Sequence, residues 1–186
     1  MMKLFIKNMV CPRCIMAVEQ ILSRLAIPYA SVELGKVVLD EAISKEKEEE
    51  LAKELQSIGF EWIDEKKDRL TEQIKVAILK IIYDEIELKV NLSDYLSDIL
   101  HLDYTYISNQ FSESEGTTIE KFFIAQKIER VKELLAYNEL SLSEISMRLN
   151  YSSVAHLSAQ FKKVAGITPS QYRQSDELTR KTIDRL

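Results

Sequence analysis

Apolar and polar positions recur with two different periods along the chain, and the change of period predicts where one kind of structure gives way to another. Residues 3–8 alternate as a half-buried strand does, whereas residues 14–25 place apolar side chains at helical spacing. Two further strand-like runs meet at Gly35, which is typical of a hairpin. In the first third of the chain the pattern predicts six elements: strand 3–8, helix 14–25, strands 30–34 and 36–39, helix 44–58 and strand 60–63.

This order, βαββαβ, is that of the ferredoxin-like split βαβ arrangement. Strand signals stop at Arg69, and the remainder has helical periodicity, with an amphipathic segment at 71–86 and a long one at 119–137. A short charged run at 65–68 marks the boundary between the two patterns. The predicted fold class is α+β: a ferredoxin-like βαββαβ domain at residues 1–66, an all-α domain at 67–175 and a C-terminal tail at 176–186.

Residues 92–122, the first repeat, recur at residues 142–172, the second repeat, with a constant offset of 50 and no gap. In each copy the sequence predicts a short helix, then a tight turn and a second helix. The predicted N-cap of the short helix is Ser93 in the first repeat and Ser143 in the second. A unit of about thirty residues used twice indicates two copies of one small helical device, here with the arrangement of a helix-turn-helix. The matches include Phe111 with Phe161, Gly116 with Gly166 and Thr118 with Thr168.

The second repeat ends in a specific motif, Phe161-Lys162-Lys163 followed by Gly166-Ile167-Thr168-Pro169-Ser170-Gln171-Tyr172-Arg173. Over residues 71–173 the chain resembles the AraC/XylS family of bacterial transcription regulators. In that family two helix-turn-helix motifs, joined by one long helix, enter successive major-groove segments of double-stranded DNA about 34 Å apart. The resemblance implies a sequence-specific DNA-binding transcription regulator.

The resemblance also assigns site residues by position. Asn109 could pair with an adenine edge, whereas Val154, Ala155 and Ala159 offer only apolar contact to thymine methyl groups. No arginine occupies these positions, so we expect a site that leans towards A·T pairs. The implied base contacts are Thr105, Ser108 and Asn109 in the first repeat and Val154, Ala155, His156, Ser158 and Ala159 in the second. Phosphate contacts, which add salt dependence but no sequence information, are implied for Lys162, Lys163 and Arg173.

Charge is distributed unevenly within a net charge of −5. Residues 67–125 hold six Lys/Arg against eleven Asp/Glu, and residues 126–186 hold ten against seven. Nucleic-acid affinity depends on the local face more than on the total. Asp103 also places a carboxylate at the start of the first recognition helix, beside the expected position of phosphates. We therefore expect the first repeat to contribute little affinity.

Two cysteines, Cys11 and Cys14, lie between the first predicted strand and the first predicted helix. The helix N-terminus and Arg13 should favour thiolate. Two sulfurs without a nearby histidine or carboxylate suit a soft ion such as Cu(I) better than tetrahedral zinc. Over residues 1–64 the spacing and element order resemble the heavy-metal-associated domain of copper chaperones. That implies Cu(I) or another soft metal ion held by Cys11 and Cys14; a redox-active thiol pair and an inert pair are the alternatives.

The combined interpretation is a cytoplasmic transcription regulator that senses a soft metal and binds DNA. A metal-trafficking protein whose helical domain binds a protein partner is the second hypothesis. An enzyme of disulfide exchange ranks last, since both histidines lie far from the thiols in sequence and no Gly-rich phosphate loop occurs. No apolar run approaches the roughly 18–20 residues that a bilayer span needs, and residues 1–8 lack signal-peptide features. Two DNA-binding motifs in one chain make dimerisation unnecessary, and a homodimer stays an open alternative.

Overall fold

The computed structural model describes residues 2–63 and 66–174. The chain divides between Val76 and Ala77 into two compact units, called here the N-terminal and C-terminal units. The predicted boundary after residue 66 lies upstream of this division, and the predicted tail at 176–186 lies outside the described residues. The difference arises because residues 66–76 pack with the N-terminal unit, where the Arg69 guanidinium lies 5.1 Å from the centroid of the Phe5 ring.

The N-terminal unit contains the six predicted elements in the predicted order. Each observed boundary falls within two residues of the predicted one. Helix α2 begins after Ser44, whose side chain accepts a hydrogen bond from the Lys47 N–H, as an N-cap serine should. The elements are β1 (Met2–Lys7), α1 (Pro12–Arg24), β2 (Tyr29–Glu33), β3 (Lys36–Leu39), α2 (Lys45–Ser57) and β4 (Glu61–Ile63).

The four strands form one antiparallel sheet in the order β2-β3-β1-β4. Strand β1 is central, with Met2 opposite Leu39 on one side and Phe5 opposite Ile63 on the other. Alternate residues of β1 and β3 are buried and join the apolar faces of α1 and α2 in one hydrophobic core. The fully buried members of this core include Leu4, Ile6, Val18, Leu22, Val37, Leu39, Leu51 and Leu55.

From residue 66 to residue 174 the described chain is helical. Helix α6 has the predicted bounds, whereas α3 begins five residues before the predicted segment at 71–86 and ends three residues before its end. Glu85 adopts a left-handed backbone conformation with φ of 54°, which ends the helical path there. The helices are α3 (Lys66–Tyr83), α4 (Leu92–Leu100), α5 (Tyr104–Glu115), α6 (Ile119–Tyr137), α7 (Leu142–Arg148), α8 (Val154–Ala165) and α9 (Pro169–Gln174).

The sequence repeat is a structural repeat. Helices α4, α5 and α6 begin 50 residues before α7, α8 and α9. The predicted caps Ser93 and Ser143 are wrong, because Asn91 and Ser141 accept the hydrogen bonds that start α4 and α7. Both serines instead lie inside the first helical turn. Among the helices at residues 2–63 and 66–174, none has the length and apolar content that crossing a bilayer requires.

Candidate nucleic-acid interface and cysteine pair

The second helix of each repeat is held by a capped start and a buried side. At the start of α5, Oδ1 of Asp103 accepts hydrogen bonds from the N–H groups of Thr105 (2.8 Å) and Tyr106 (3.3 Å). At the start of α8, Oγ of Ser153 accepts one from the His156 N–H at 3.1 Å. Both helices end at glycines in the left-handed region, and both bury the predicted anchors: Ile107 and Phe111 in α5, and Leu157 and Phe161 in α8.

Anchoring one side of α5 and of α8 turns the opposite side outward. That arrangement is the one required if these helices read base edges, because a recognition helix must present side chains to the base edges in the groove. None of the eight implied base-contacting residues is buried. Thr105, Asn109, Val154, Ala155, His156 and Ala159 are exposed, and Ser108 and Ser158 are half-buried.

The three implied phosphate contacts differ in their surroundings. Lys162 and Lys163 are exposed on the last turn of α8. Arg173 on α9 is half-buried, and its Nη2 donates a hydrogen bond of 2.7 Å to the carbonyl oxygen of Leu140. Arg173 therefore ties the end of the second repeat to its beginning, which leaves only part of the guanidinium for an outside partner.

The turn before α8 is built around Asn150 and Tyr151. Asn150 has φ of 52°, a conformation that asparagine tolerates better than most side chains. Its Nδ2 donates to the carbonyl oxygen of Ile86 at 3.1 Å. Tyr151 is buried against the edge of the His156 ring, with ring centroids 5.4 Å apart. His156 is thus oriented by the turn.

The two repeats carry opposite charge. The first repeat, residues 92–122, contains six acidic residues and one basic residue, Lys121, whereas the second, residues 142–172, contains three basic residues and one acidic residue. The Tyr104 hydroxyl donates to Oε1 of Glu120 at 2.5 Å, and this hydrogen bond lowers the pKa of Glu120, which stabilises its anion. The acidic residues of the first repeat are Asp94, Asp98, Asp103, Glu113, Glu115 and Glu120; the charged residues of the second repeat are Glu144, Arg148, Lys162 and Lys163.

One outward residue was not predicted. Tyr106 on α5 is 51% exposed, and it lies at the position that His156 occupies in α8. The offset of 50, applied to His156, would have found it. A tyrosine there gives the first repeat a large amphipathic side chain. The acidic residues around it make that repeat less favourable for phosphate contacts than the second repeat.

The cysteine pair lies at the start of α1, where Cys11 is the N-cap and Pro12 the first helical residue. The two Sγ atoms are 3.4 Å apart, and both side chains are half-buried. Burial raises the pKa of the Cys14 thiol. The direction is opposite to the expectation that the helix N-terminus and Arg13 would favour thiolate, because burial disfavours the charged form of Cys14.

The donor set is two sulfurs. No group of three or more His, Cys, Asp or Glu side chains able to hold a metal ion occurs in the described parts of the chain. Structural zinc sites close with four ligands, whereas Cu(I) is selected by soft thiolates. Two sulfurs this close, on a half-exposed helix start, fit a soft ion of low coordination number better than zinc.

Residues 96–175 match the family model described as a helix-turn-helix domain. This match spans all but the first four residues of the first repeat, together with α6 and the whole second repeat. Over these residues the C-terminal unit is similar to helix-turn-helix domains.

Two relatives match this chain over only a small part of their own length. An uncharacterised HTH-type transcriptional regulator of Bacillus subtilis (strain 168) is 26% identical over 84% of this chain and 21% of its own length. The xylose operon regulatory protein of Escherichia coli (strain K12) is 32% identical over 43% of this chain and 20% of its own length. The chain spans about a fifth of the length of these relatives.

A solved structure shares the fold of the helix-turn-helix domain. The C-terminal domain of AraT, a response regulator from Geobacillus stearothermophilus, matches 63% of this chain and 94% of its own length with a TM-score of 0.54 and 23% sequence identity. This likeness supports the helical architecture around the two repeats.

Proposed function

We infer that the chain is a sequence-specific DNA-binding transcription regulator whose two repeats contact successive major-groove segments. One observation carries this inference: α5 and α8, fifty residues apart, have matching caps and buried anchors and present outward the positions that the family uses for bases. Helix α6 joins the repeats, and its 19 residues extend over roughly 28 Å. That length is comparable with one turn of B-DNA, about 34 Å.

The second repeat supplies most of the affinity in this proposal. Lys162 and Lys163 would contact phosphates, and Val154, Ala155 and Ala159 would contact thymine methyl groups. The first repeat supplies Asn109 to pair with an adenine. However, the N-cap of α5 is the carboxylate of Asp103, whereas the matching N-cap of α8 is the neutral side chain of Ser153. Affinity and salt dependence should therefore depend mainly on α8.

The test begins with selection of bound duplexes from a random DNA pool, followed by mobility-shift titration of the selected duplex. Ala159→Asp places a negative charge on the outward side of α8 and should weaken binding at least a hundredfold. Ala136→Asp, at an exposed position near the end of α6, is the matched control and should stay within twofold. Failure to enrich any duplex, or equal effects of the two substitutions, would contradict DNA reading by α8.

The N-terminal unit is proposed to be a ferredoxin-like, heavy-metal-associated domain in which Cys11 and Cys14 hold Cu(I) or another soft ion. The βαββαβ order, the strand order β2-β3-β1-β4 and the Sγ–Sγ distance of 3.4 Å support this proposal. Bound metal would crosslink the two sulfurs at the start of α1, and their two protons would be released. To act as a signal, the metal must bind the DNA-competent state with different affinity.

Titration with Cu(I) against a competing chelator tests the site. Cys11→Ser and Cys14→Ser should each abolish stoichiometric binding, whereas Met16→Leu, at a sulfur side chain that is 57% exposed, should not. Mobility shifts across the titration test sensing, and an unchanged DNA affinity at saturation removes the sensor role. Transfer of Cu(I) to an acceptor without selective DNA binding would favour the trafficking hypothesis.

A further inference from the structure

A cleft of about 500 Å³ lies in the C-terminal unit, between the end of α3, the first half of α6 and the turn before α8. Its volume falls within the range of about 300–1,000 Å³ typical of sites for small organic ligands. The walls are mainly aliphatic and aromatic, and they include Ile82, Phe123, Leu149 and Tyr151. A mainly apolar lining with a small number of polar groups is typical of sites that bind small organic ligands.

One ammonium group faces this apolar lining. Nζ of Lys127 lies 3.9 Å from the centroid of the Tyr151 ring and 5.4 Å from that of Phe123. Burial lowers the pKa of Lys127 to about 8, so the group is still mainly charged at pH 7. Cation–π contacts offset part of the desolvation, but ring faces accept no conventional hydrogen bond. No carboxylate in the described residues forms a salt bridge with Lys127.

Lys127 is the cation of the cleft lining for which the described residues show no salt bridge. Arg148 lines the cleft, and its Nη1 already lies 3.5 Å from Oε1 of Glu85. Glu87, which is exposed, is the acidic residue of the lining. A ligand with two negative charges would therefore lack a second free cation, whereas a monoanion would match Lys127.

We propose that this cleft binds a small apolar monocarboxylate, with its carboxylate on Nζ of Lys127 and its hydrocarbon part against the aliphatic and aromatic walls. The carboxylate would supply the acceptor that the ammonium lacks, in surroundings where a charge-assisted hydrogen bond is strong. The hydrocarbon part would remove the apolar walls from water.

The site adjoins the second recognition helix, and its regulatory consequence rests on the proposed DNA binding. Residues 149–152 line the cleft and lead directly into Ser153, the N-cap of α8. The hydroxyl of Tyr151 donates a hydrogen bond of 2.9 Å to Oε1 of Gln160 on α8. A ligand that displaces the Tyr151 ring would therefore move a group that is bonded to the recognition helix.

Decanoate, well below its micellar concentration, is the probe, and isothermal titration of the full chain at pH 7 is the measurement. We expect saturable binding with a stoichiometry of one. Lys127→Gln should weaken it at least tenfold, whereas Lys127→Arg, which keeps the charge, should stay within about threefold. 1-Decanol, which has the same chain without the charge, should bind at least tenfold more weakly than decanoate.

A second pair of variants tests the site even if substitution of the half-buried Lys127 disrupts folding. Met147 lines the cleft and is 74% exposed, so Met147→Glu should fold and should repel the carboxylate, with at least a tenfold loss. Val90→Glu, exposed and outside the lining, is the matched control and should bind as the wild type does. Absence of saturation, equal binding of 1-decanol, or no effect of either Lys127→Gln or Met147→Glu would overturn the proposal.

Mobility shifts with the selected duplex, with and without saturating decanoate, test the coupling. At least a threefold change in DNA affinity is expected for the wild type and none for Lys127→Gln. Decanoate binding without that change would overturn the regulatory assignment. A chain that binds decanoate but selects no duplex would overturn the proposed function while leaving the ligand site intact, so the two failures are distinguishable.

Discussion

The two repeats share a backbone and an interior but present different surfaces. In the first, the rings of Phe111 and Phe122 meet edge to face at 5.5 Å; in the second, those of Phe161 and Tyr172 do so at 5.6 Å. Outside this shared interior, one copy is acidic and the other mildly basic. A few buried and capping positions therefore specify the repeat, and the outward positions are free to differ.

The largest expected effect tests the shared interior. Phe111→Ala and Phe161→Ala should each lower the free energy of unfolding by about 3–5 kcal/mol, because both remove a fully buried ring. Urea unfolding followed by far-ultraviolet circular dichroism measures this. The two losses should agree within about 1 kcal/mol, and Val164→Ala, at an exposed position, should lie within about 0.5 kcal/mol of the wild type.

A cost confined to one repeat would contradict an equivalent interior. If the alanine variants do not fold, Phe111→Leu and Phe161→Leu allow the same comparison at a smaller cost.

Exchanging one charge between the repeats should come next in size. Lys163→Glu gives the second repeat the residue found at the matching position of the first, and Glu113→Lys does the reverse. Lys163→Glu should weaken binding of the selected duplex by roughly tenfold or more, since a hydrogen bond to a charged group contributes about 1.5–3 kcal/mol. Glu113→Lys should strengthen it. Mobility shifts at several salt concentrations measure both.

Lys163→Gln removes the positive charge without adding a negative one, so it separates loss of attraction from the repulsion that Lys163→Glu introduces. It should reduce the slope of log affinity against log salt by about 1. Unchanged slopes in all three variants would rule out a phosphate contact at this position.

A smaller and more local effect concerns sequence reading. Asn109 and Ala159 occupy matching positions, but only the amide can pair with both edge atoms of an adenine. Asn109→Ala should lose about 1–3 kcal/mol of discrimination at one base pair and leave the others unchanged. Repeating the duplex selection with the variant measures this. Loss of affinity spread evenly over all positions would show that Asn109 does not read a base.

The smallest effect is on how the free energy of unfolding depends on pH. Buried Tyr151 of the second repeat packs on Lys127 of α6, whereas His101, the residue of the first repeat that matches Tyr151, is exposed. Burial lowers the pKa of Lys127 from 10.5 to about 8. Between those values the unfolded chain binds more protons than the folded one, so the free energy of unfolding should rise with pH through this window.

Melting temperatures at pH 7.5 and 9.5 check that sign. The wild type should gain stability relative to Lys127→Met as pH rises, whereas the exposed-site control Lys89→Met should follow the wild type. Parallel pH profiles for all three proteins would mean that the Lys127 ammonium keeps its ordinary hydration.

Local patterns predicted the elements well. The six elements of the N-terminal unit and the bounds of α6 follow from periodicity and end signals, because those depend on neighbouring residues. The caps of α4 and α7 were misplaced by two residues: Asn91 and Ser141 are as capable of capping as Ser93 and Ser143, and the sequence does not rank them. Strand order also lay beyond local patterns, since it depends on contacts between distant segments.

The site was predictable only where the repeat fixes it. The outward positions of α5 and α8 follow from their anchors, and all eight implied base contacts are exposed or half-buried. The bond from Arg173 to the carbonyl of Leu140 joins residues 33 apart in sequence, so no local motif announces it. The cleft at Lys127 likewise requires three separated segments to converge.

Helix α6 has one further consequence. Thr118 is its N-cap, and Asn138, in the left-handed region, is its C-cap. These two caps set where the helix begins and ends, and therefore set its length. Each residue added or removed rotates the second repeat by about 100° about the helix axis and shifts it by about 1.5 Å. In the proposed complex, a single deletion within α6 would therefore turn α8 away from the side of the duplex that α5 contacts.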